Sequence, residues 1–146
     1  MHSIYLDYNC FQRCFDDPRQ VRIRMEALAC EEIFAGAERG EIKLIWSFMH
    51  EDENLLCPFP ERKIAVSRIA SLCKAIIGPD KKIHGRAKSL QQEGRLSSKD
   101  AVHVACAEFA ECGYFLTCDD ELIKRSARLS LGLRIMNPVD YVRGSK

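Results

Sequence analysis

At 146 residues the chain suits one domain able to bury about two-thirds of its unfolded surface, and a net charge of +1 excludes a nucleic-acid binder of the histone kind. Eight cysteines, at positions 10, 14, 30, 57, 73, 106, 112 and 118, contain no CxxC pair, and several fall within apolar helical patterns, where a free thiol serves as a small hydrophobe rather than a zinc ligand. No apolar run approaches the roughly 18 residues a membrane span needs, and Met1-His2-Ser3 leads straight into a strand, so residues 1–146 are expected to form one cytoplasmic, reduced domain.

Short apolar runs alternate with longer amphipathic segments, the pattern of an α/β protein whose mostly parallel sheet is flanked by helices on both faces. Residues 3–7 read as the first strand, and a short helix over 9–15 is interrupted by Asp16-Asp17-Pro18. Val21, Ala27, Leu28, Ile33, Phe34 and Ala35 fit a long helix over 19–39 that Gly36 or Gly40 closes. Residues 42–46 read as the second strand, and Ser47 as the N-cap of a helix reaching about Cys57, where Pro58 and Pro60 break the chain. A helix over 61–75 gives way to a brief strand at Ala75-Ile76-Ile77 and a turn at Gly78-Pro79, then to a helix over 80–93 ended by Gly94. Ser97 or Ser98 caps a helix running to Cys112, with Gly113 as its stop, and a strand follows at 114–117. Asp119 or Asp120 opens a helix to about Leu131, residues 133–136 form the last strand, Asn137-Pro138 begins a short helix or turn, and residues 143–146 are expected to fray.

Four acids stand where a strand gives way to a helix or a helix begins: Asp7, Asp100, Asp119 and one of Glu51, Asp52 and Glu53. Ligands of open α/β sheets bind beyond the carboxyl ends of the strands, so these acids are expected over a crevice. Each Asp also reads as a helix cap or first-turn acid, since the residue type is favoured there. The segment 100–107 is apolar nearly all round, however, and such a helix is buried. A carboxylate in it must be protonated, hydrogen-bonded or metal-bound, and His103 reads first as a hydrogen-bond partner for Asp100. At about 100° per residue, Asp52 lies nearest the centre of the face made by Phe48, Met49, Leu55 and Leu56, with Glu51 and Glu53 flanking it, so periodicity does not choose among the three.

Leu6-Asp7-Tyr8-Asn9 resembles the opening D-x-N of PIN-domain ribonucleases, and Asp100-Ala101-Val102-His103-Val104-Ala105 resembles their D-A-x-H-x-A helix. Phe115-Leu116-Thr117-Cys118-Asp119 is similar to the family's F-x-T-x-D, and Asn137-Pro138 to its closing N-P. Four ordered motifs spanning nearly the whole chain imply a three-layer α/β/α PIN-like fold, and the chain resembles the VapC-type toxins of prokaryotic toxin–antitoxin pairs. The family's second acid maps from Ser47 onto Glu53; a register differing by one or two would give the role to Glu51 or Asp52. Tyr8 stands where the family commonly has Thr or Ser, so the hydroxyl expected there is altered or displaced.

Carboxylates converging within a few ångströms repel by about 3–4 kcal/mol per adjacent pair at an effective dielectric near 20, a conflict that a divalent cation removes. All-oxygen ligation suits Mg²⁺ or Mn²⁺ rather than zinc. The resemblance implies that Asp7, Glu53, Asp100 and Asp119 hold one or two such ions for hydrolysis of RNA to a 5′-phosphate and a 3′-hydroxyl. It further implies that Asn9 and Thr117 orient ligands or phosphate, that His103 supports the site, and that Asp120 acts through a bridging water. The partners it implies are RNA, a small antitoxin that holds the toxin inactive, and a second copy of the chain in a homodimer. The alternative is a non-catalytic PIN-type nucleic-acid-binding or scaffolding module, which would need a damaged acidic set. Lys81, Lys82, Arg86, Lys88, Arg95 and Lys99 form one basic stretch and Lys124, Arg125 and Arg128 another; both also read as ordinary solvated helix faces.

Overall fold

The computed structural model describes residues 2–144, so the expected fraying of Ser145 and Lys146 and the start at Met1 lie outside the described residues, whereas Arg143 and Gly144, expected to fray with them, end a helix. The strands are β1 (His2–Leu6), β2 (Ile42–Ser47), β3 (Ala75–Ile77), β4 (Tyr114–Leu116) and β5 (Arg134–Met136). They form one sheet in the order β3-β2-β1-β4-β5, every neighbouring pair parallel. Between them run α1 (Tyr8–Gln12), α2 (Val21–Glu38), α3 (Phe48–Leu55), α4 (Pro60–Ala70), α5 (Lys81–Gly94), α6 (Ser98–Phe109), α7 (Asp120–Ser126) and α8 (Pro138–Gly144). A 3-10 turn at Arg13–Phe15 extends α1.

Strand side chains alternate between the two faces, and both faces are covered, which is why the strands read as nearly unbroken apolar runs. Tyr5, paired in register with Ile45 on one side and Phe115 on the other, packs with them against α5 and α6. Ile4, Leu6, Leu44, Trp46 and Leu116 occupy the opposite face with residues of α1, α2, α4 and α8. Phe11 locks α1 onto that face, stacked on Phe34 and edge-on to Trp46 with centroids 5.7 and 5.3 Å away. Cys10, Cys30, Cys106, Cys112 and Cys118 are buried free thiols. No described helix is long and apolar enough to cross a membrane.

Several expected boundaries move, each for a local reason. α4 ends at Ala70, and α7 ends at Ser126 rather than near Leu131. α6 ends at Phe109, where Glu111 at φ 57° makes the left-handed turn expected of Gly113. Gly94 is the last residue of α5, and Arg95 beyond it takes the left-handed cap at φ 55°. A Cβ on Gly94 would come within 2.7 Å of Leu129 Cδ1, so the glycine is spent on helix packing and the turn falls to arginine. The inward face of α2 keeps Ile33 and Phe34 of the apolar set but not Val21 and Leu28, which are exposed, and it adds Glu26, Ala29, Cys30 and Ala37.

Candidate metal centre

The strand order reverses at β1, with β2 and β3 built on one side and β4 and β5 on the other. Such a switch point opens a crevice beyond the carboxyl ends of the two central strands. Asp7 follows β1 and Thr117–Asp119 follow β4, both at that crevice, and the Asp7 amide closes it from below by donating to Leu116 O at 2.8 Å.

Asp7 sits at the N-cap of α1 but does not cap it with its side chain. Its Oδ2 instead accepts from the Thr117 hydroxyl at 2.7 Å and from Asn9 Nδ2 at 3.3 Å. Thr117 is thereby saturated: its one proton goes to Asp7, while Oγ1 accepts from Asn9 Nδ2 at 3.3 Å and from the Asp119 amide at 3.1 Å. Asn9 completes the ring by accepting the Cys118 amide at 3.2 Å. The hydroxyl that Tyr8 does not give to Asp7 thus comes from Thr117; the Tyr8 hydroxyl donates to Asn54. Asp7 is only 6% exposed, and burial foremost pushes its carboxyl up, with the charges of Asp100 and Glu53 adding to the rise against His103 and the Thr117 bond.

Of the three clustered acids, Glu53 is the one brought to Asp7. Its Oε1 accepts from Nε2 of His103, and Lys99 Nζ stands 3.1 Å from Oε2. Glu51 takes the Trp46 indole proton at 2.9 Å, and Asp52 is exposed. The inner face of α3 is therefore polar, made by His50 and Asn54, while Leu55 and Leu56 face solvent. The reason is a reciprocal cap, in which Ser47 Oγ accepts the His50 amide and the His50 ring accepts the Ser47 amide, so the helix starts with His50 turned inward.

His103 serves Glu53 and not the expected Asp100. A carboxylate only accepts, so Nε2 carries a proton, and Nδ1 stands 2.6 Å from the Tyr5 hydroxyl. Tyr5 in turn meets Ser47 Oγ at 2.7 Å. An amide N–H only donates, so His50 Nδ1 accepts from Ser47 and Nε2–H donates to Leu6 O at 2.6 Å. Burial, with the neighbouring His103, holds His50 down at about 3 and keeps its ring neutral.

Asp100 lies in the first turn of α6, its amide held by the Ser97 hydroxyl at 3.1 Å. Burial raises its carboxyl, the Ser97 bond opposes, and the charge of Asp119 adds to the rise. Asp119 does cap α7, but through one oxygen: Oδ1 accepts the Glu121 and Leu122 amides at 3.0 and 3.3 Å, and Oδ2 takes no helix amide. Asp120 is turned to Arg22, which grips it through two nitrogens at 2.6 and 2.7 Å, and it is not drawn into the cluster. Lys99 is the residue whose part the sequence reading missed. Burial lowers its ammonium, but the bond to Glu53 and the charges of Glu53, Asp7 and Asp100 outweigh that and raise it, making it the counter-ion inside the acidic crevice.

The donors fit a hard divalent cation, since all are carboxylate oxygens and both Asp7 and Asp100 are raised in part by another acid of the set. Among the described residues no three His, Cys, Asp or Glu side chains stand close enough to enclose an ion unaided. The fit is thus to an ion that keeps part of its water shell among these acids, the habit of Mg²⁺, and not to a closed zinc cage.

Five parallel strands flanked by helices, with acids at the switch point, make this a three-layer α/β/α protein of PIN-like fold. A chain of FitAcB from Neisseria gonorrhoeae superposes with a TM-score of 0.60 at 15% identity, over 92% of this chain and 97% of that one. A chain of VapBC2 from Rickettsia felis, in a structure bound to a DNA fragment from their promoter, gives 0.59 at 14% identity, over 92% and 98%. No family model matches the sequence, and no curated protein does.

Proposed function

We propose that the chain is a Mg²⁺- or Mn²⁺-dependent ribonuclease, the toxin of a toxin–antitoxin pair acting in the cytoplasm as a homodimer. The observation that carries this reading is the gathering of acids at the switch point: Asp7 is raised by burial and by the charges of Asp100 and Glu53, and Asp100 by burial and by the charge of Asp119. Carboxyls raised by burial and by neighbouring acids in a cleft mark a functional site more often than a structural one. The motif likeness to VapC toxins and the shared fold with chains of FitAcB and VapBC2 support the same class.

Asp7, Glu53, Asp100 and Asp119 would hold the ion, which when bound activates a water and shields charge on the phosphate. Thr117 and Asn9 fix the rotamer of Asp7 by bonding one oxygen, so the other is presented to the crevice. His103, held by Tyr5, keeps Glu53 extended towards Asp7. Lys99 offsets the charge of the acids and would meet a phosphate brought to them. The exposed residues Val21, Met25 and Leu28, one above another on α2, give an antitoxin or a second copy an apolar stripe to cover.

A non-catalytic RNA-binding module is the second reading, favoured by the Lys99–Glu53 pair and by the lack of a ready-made three-ligand set among the described residues. The Asp100→Asn substitution separates the two: it keeps side-chain volume and removes an anionic donor. Cleavage of single-stranded RNA in Mg²⁺ or Mn²⁺ should fall at least a hundredfold, about 3 kcal/mol, with the far-UV spectrum unchanged. RNA bound but uncut by both wild type and variant would establish the module instead.

A further inference from the structure

Arg95 of one basic stretch meets Lys124, Arg125 and Arg128, distant in sequence, in one cavity of about 540 Å³ between the turn after α5 and the α7 segment with the residues that follow it. Arg95, Lys124, Arg125 and Arg128 line it against two acids, Glu93 and Glu121. Arg125 is already engaged, pairing with Glu121 at 3.3 Å and donating to Arg95 O at 3.0 Å, which ties the turn to α7. Arg95, Lys124 and Arg128 have no ion-pair partner among the described residues. Four cations against two acids leave the cavity with an excess of positive charge, which an anion from outside would relieve.

The cavity adjoins the carboxylate crevice. Arg95 lies two residues before Ser97, whose hydroxyl holds the Asp100 amide, and the amide of Glu121 bonds Asp119. α7 has seven residues, so the cavity along it begins within about 10 Å of Asp119.

We propose that this cavity is a second, non-catalytic phosphate site, which holds the backbone of single-stranded RNA beside the carboxylate crevice. The proposal rests on the ribonuclease reading and deepens it: the acids cut one diester while Arg95, Lys124 and Arg128 hold phosphates further along the same strand. Phosphate contacts of this kind fix position without reading sequence, so the site would set affinity and leave base preference to the crevice.

The test uses the full chain carrying Asp100→Asn, in Mg²⁺, with a fluorescein-labelled single-stranded RNA of twelve mixed-sequence nucleotides. Adding Lys124→Gln and Arg128→Gln, both on exposed positions, should weaken binding about tenfold. It should also reduce the slope of log K against log salt by about 1.4, since each lost phosphate contact on a single strand removes about 0.7. Lys43→Gln with Lys74→Gln, at the amino-terminal end of the sheet, should leave the slope unchanged. In the otherwise wild-type chain, Lys124→Gln with Arg128→Gln should raise KM for the same RNA about tenfold and leave kcat within twofold. An unchanged slope, an equal loss from the Lys43 and Lys74 pair, or a fall confined to kcat would overturn the phosphate site while the ribonuclease reading stands. No RNA binding by the parent and no cleavage by the wild type would overturn both.

Discussion

Glu53 on α3 is held by His103 on α6, fifty residues further along the chain, through a hydrogen bond from Nε2 to Oε1. The bond selects one acid from a run of three and turns it to the crevice. Of Glu51→Gln, Asp52→Asn and Glu53→Gln, only the last should lower RNA cleavage a hundredfold or more, roughly 3 kcal/mol of transition-state stabilisation. Glu51→Gln should instead lower stability by about 1 kcal/mol through its bond from Trp46, with kcat/KM near wild type. Cleavage assays and urea melts on the three variants check both statements; equal loss at Glu51 would remove Glu53 from the site.

Asp7 should make the ion-free protein less stable than it would be without the charge. Its folded carboxyl is raised above the ordinary 3.8, so the folded state holds the proton more tightly than the unfolded one. The folded state then loses ground as pH rises from about 3.8 through the raised value, and the loss is complete above it. In chelator, Asp7→Asn should therefore melt at or above the wild type near pH 7, with the gap closing towards pH 3.5, and should cut no RNA. A variant that melts well below wild type at pH 7 would show that the Thr117 and Asn9 bonds outweigh the buried charge.

His50 predicts the opposite slope. Its folded value of about 3 lies below the ordinary 6.5, so between those limits the unfolded chain binds a proton that the folded chain does not. Its contribution is full above about 6.5 and is lost as pH falls towards 3, amounting to a few kcal/mol. Urea unfolding at pH 7, 6, 5 and 4 should show this decline in wild type and a shallower one in His50→Gln. Parallel slopes would mean that His50 is charged in the folded state.

Strands were legible because a sheet covered on both faces needs unbroken apolar runs such as Ile4-Tyr5-Leu6 and Tyr114-Phe115-Leu116, and no other element here is so short and so apolar. Boundaries were less so, because Glu111 and Arg95 make left-handed turns that propensity assigns to glycine. The face of α2 is legible at Ile33 and Phe34 but not in its first half, because a buried acid is invisible to an apolar count: Glu26 is buried among Arg13, Arg22 and Asn137, which bind it and so allow it inside. Asp7, Asp100 and Asp119 stood out by their place at element ends. The choice of Glu53 did not, since it depends on a contact between α3 and α6 and on an inward turn of α3 set by the Ser47–His50 cap. Lys99 read as one more basic residue, and only the fold shows it paired with an acid in the crevice.

The central claim is that these carboxylates work through a hard divalent cation on RNA. The most direct measurement follows cleavage of single-stranded RNA and thermal melting by chelator-treated protein, before and after adding Mg²⁺, Mn²⁺ or Zn²⁺. Mg²⁺ or Mn²⁺ should restore cleavage and raise the melting temperature, an ion at a hundredfold excess over Kd stabilising the fold by about 2.7 kcal/mol, and Zn²⁺ should substitute poorly. Full cleavage in excess chelator, or melting indifferent to millimolar Mg²⁺ and Mn²⁺, would contradict it.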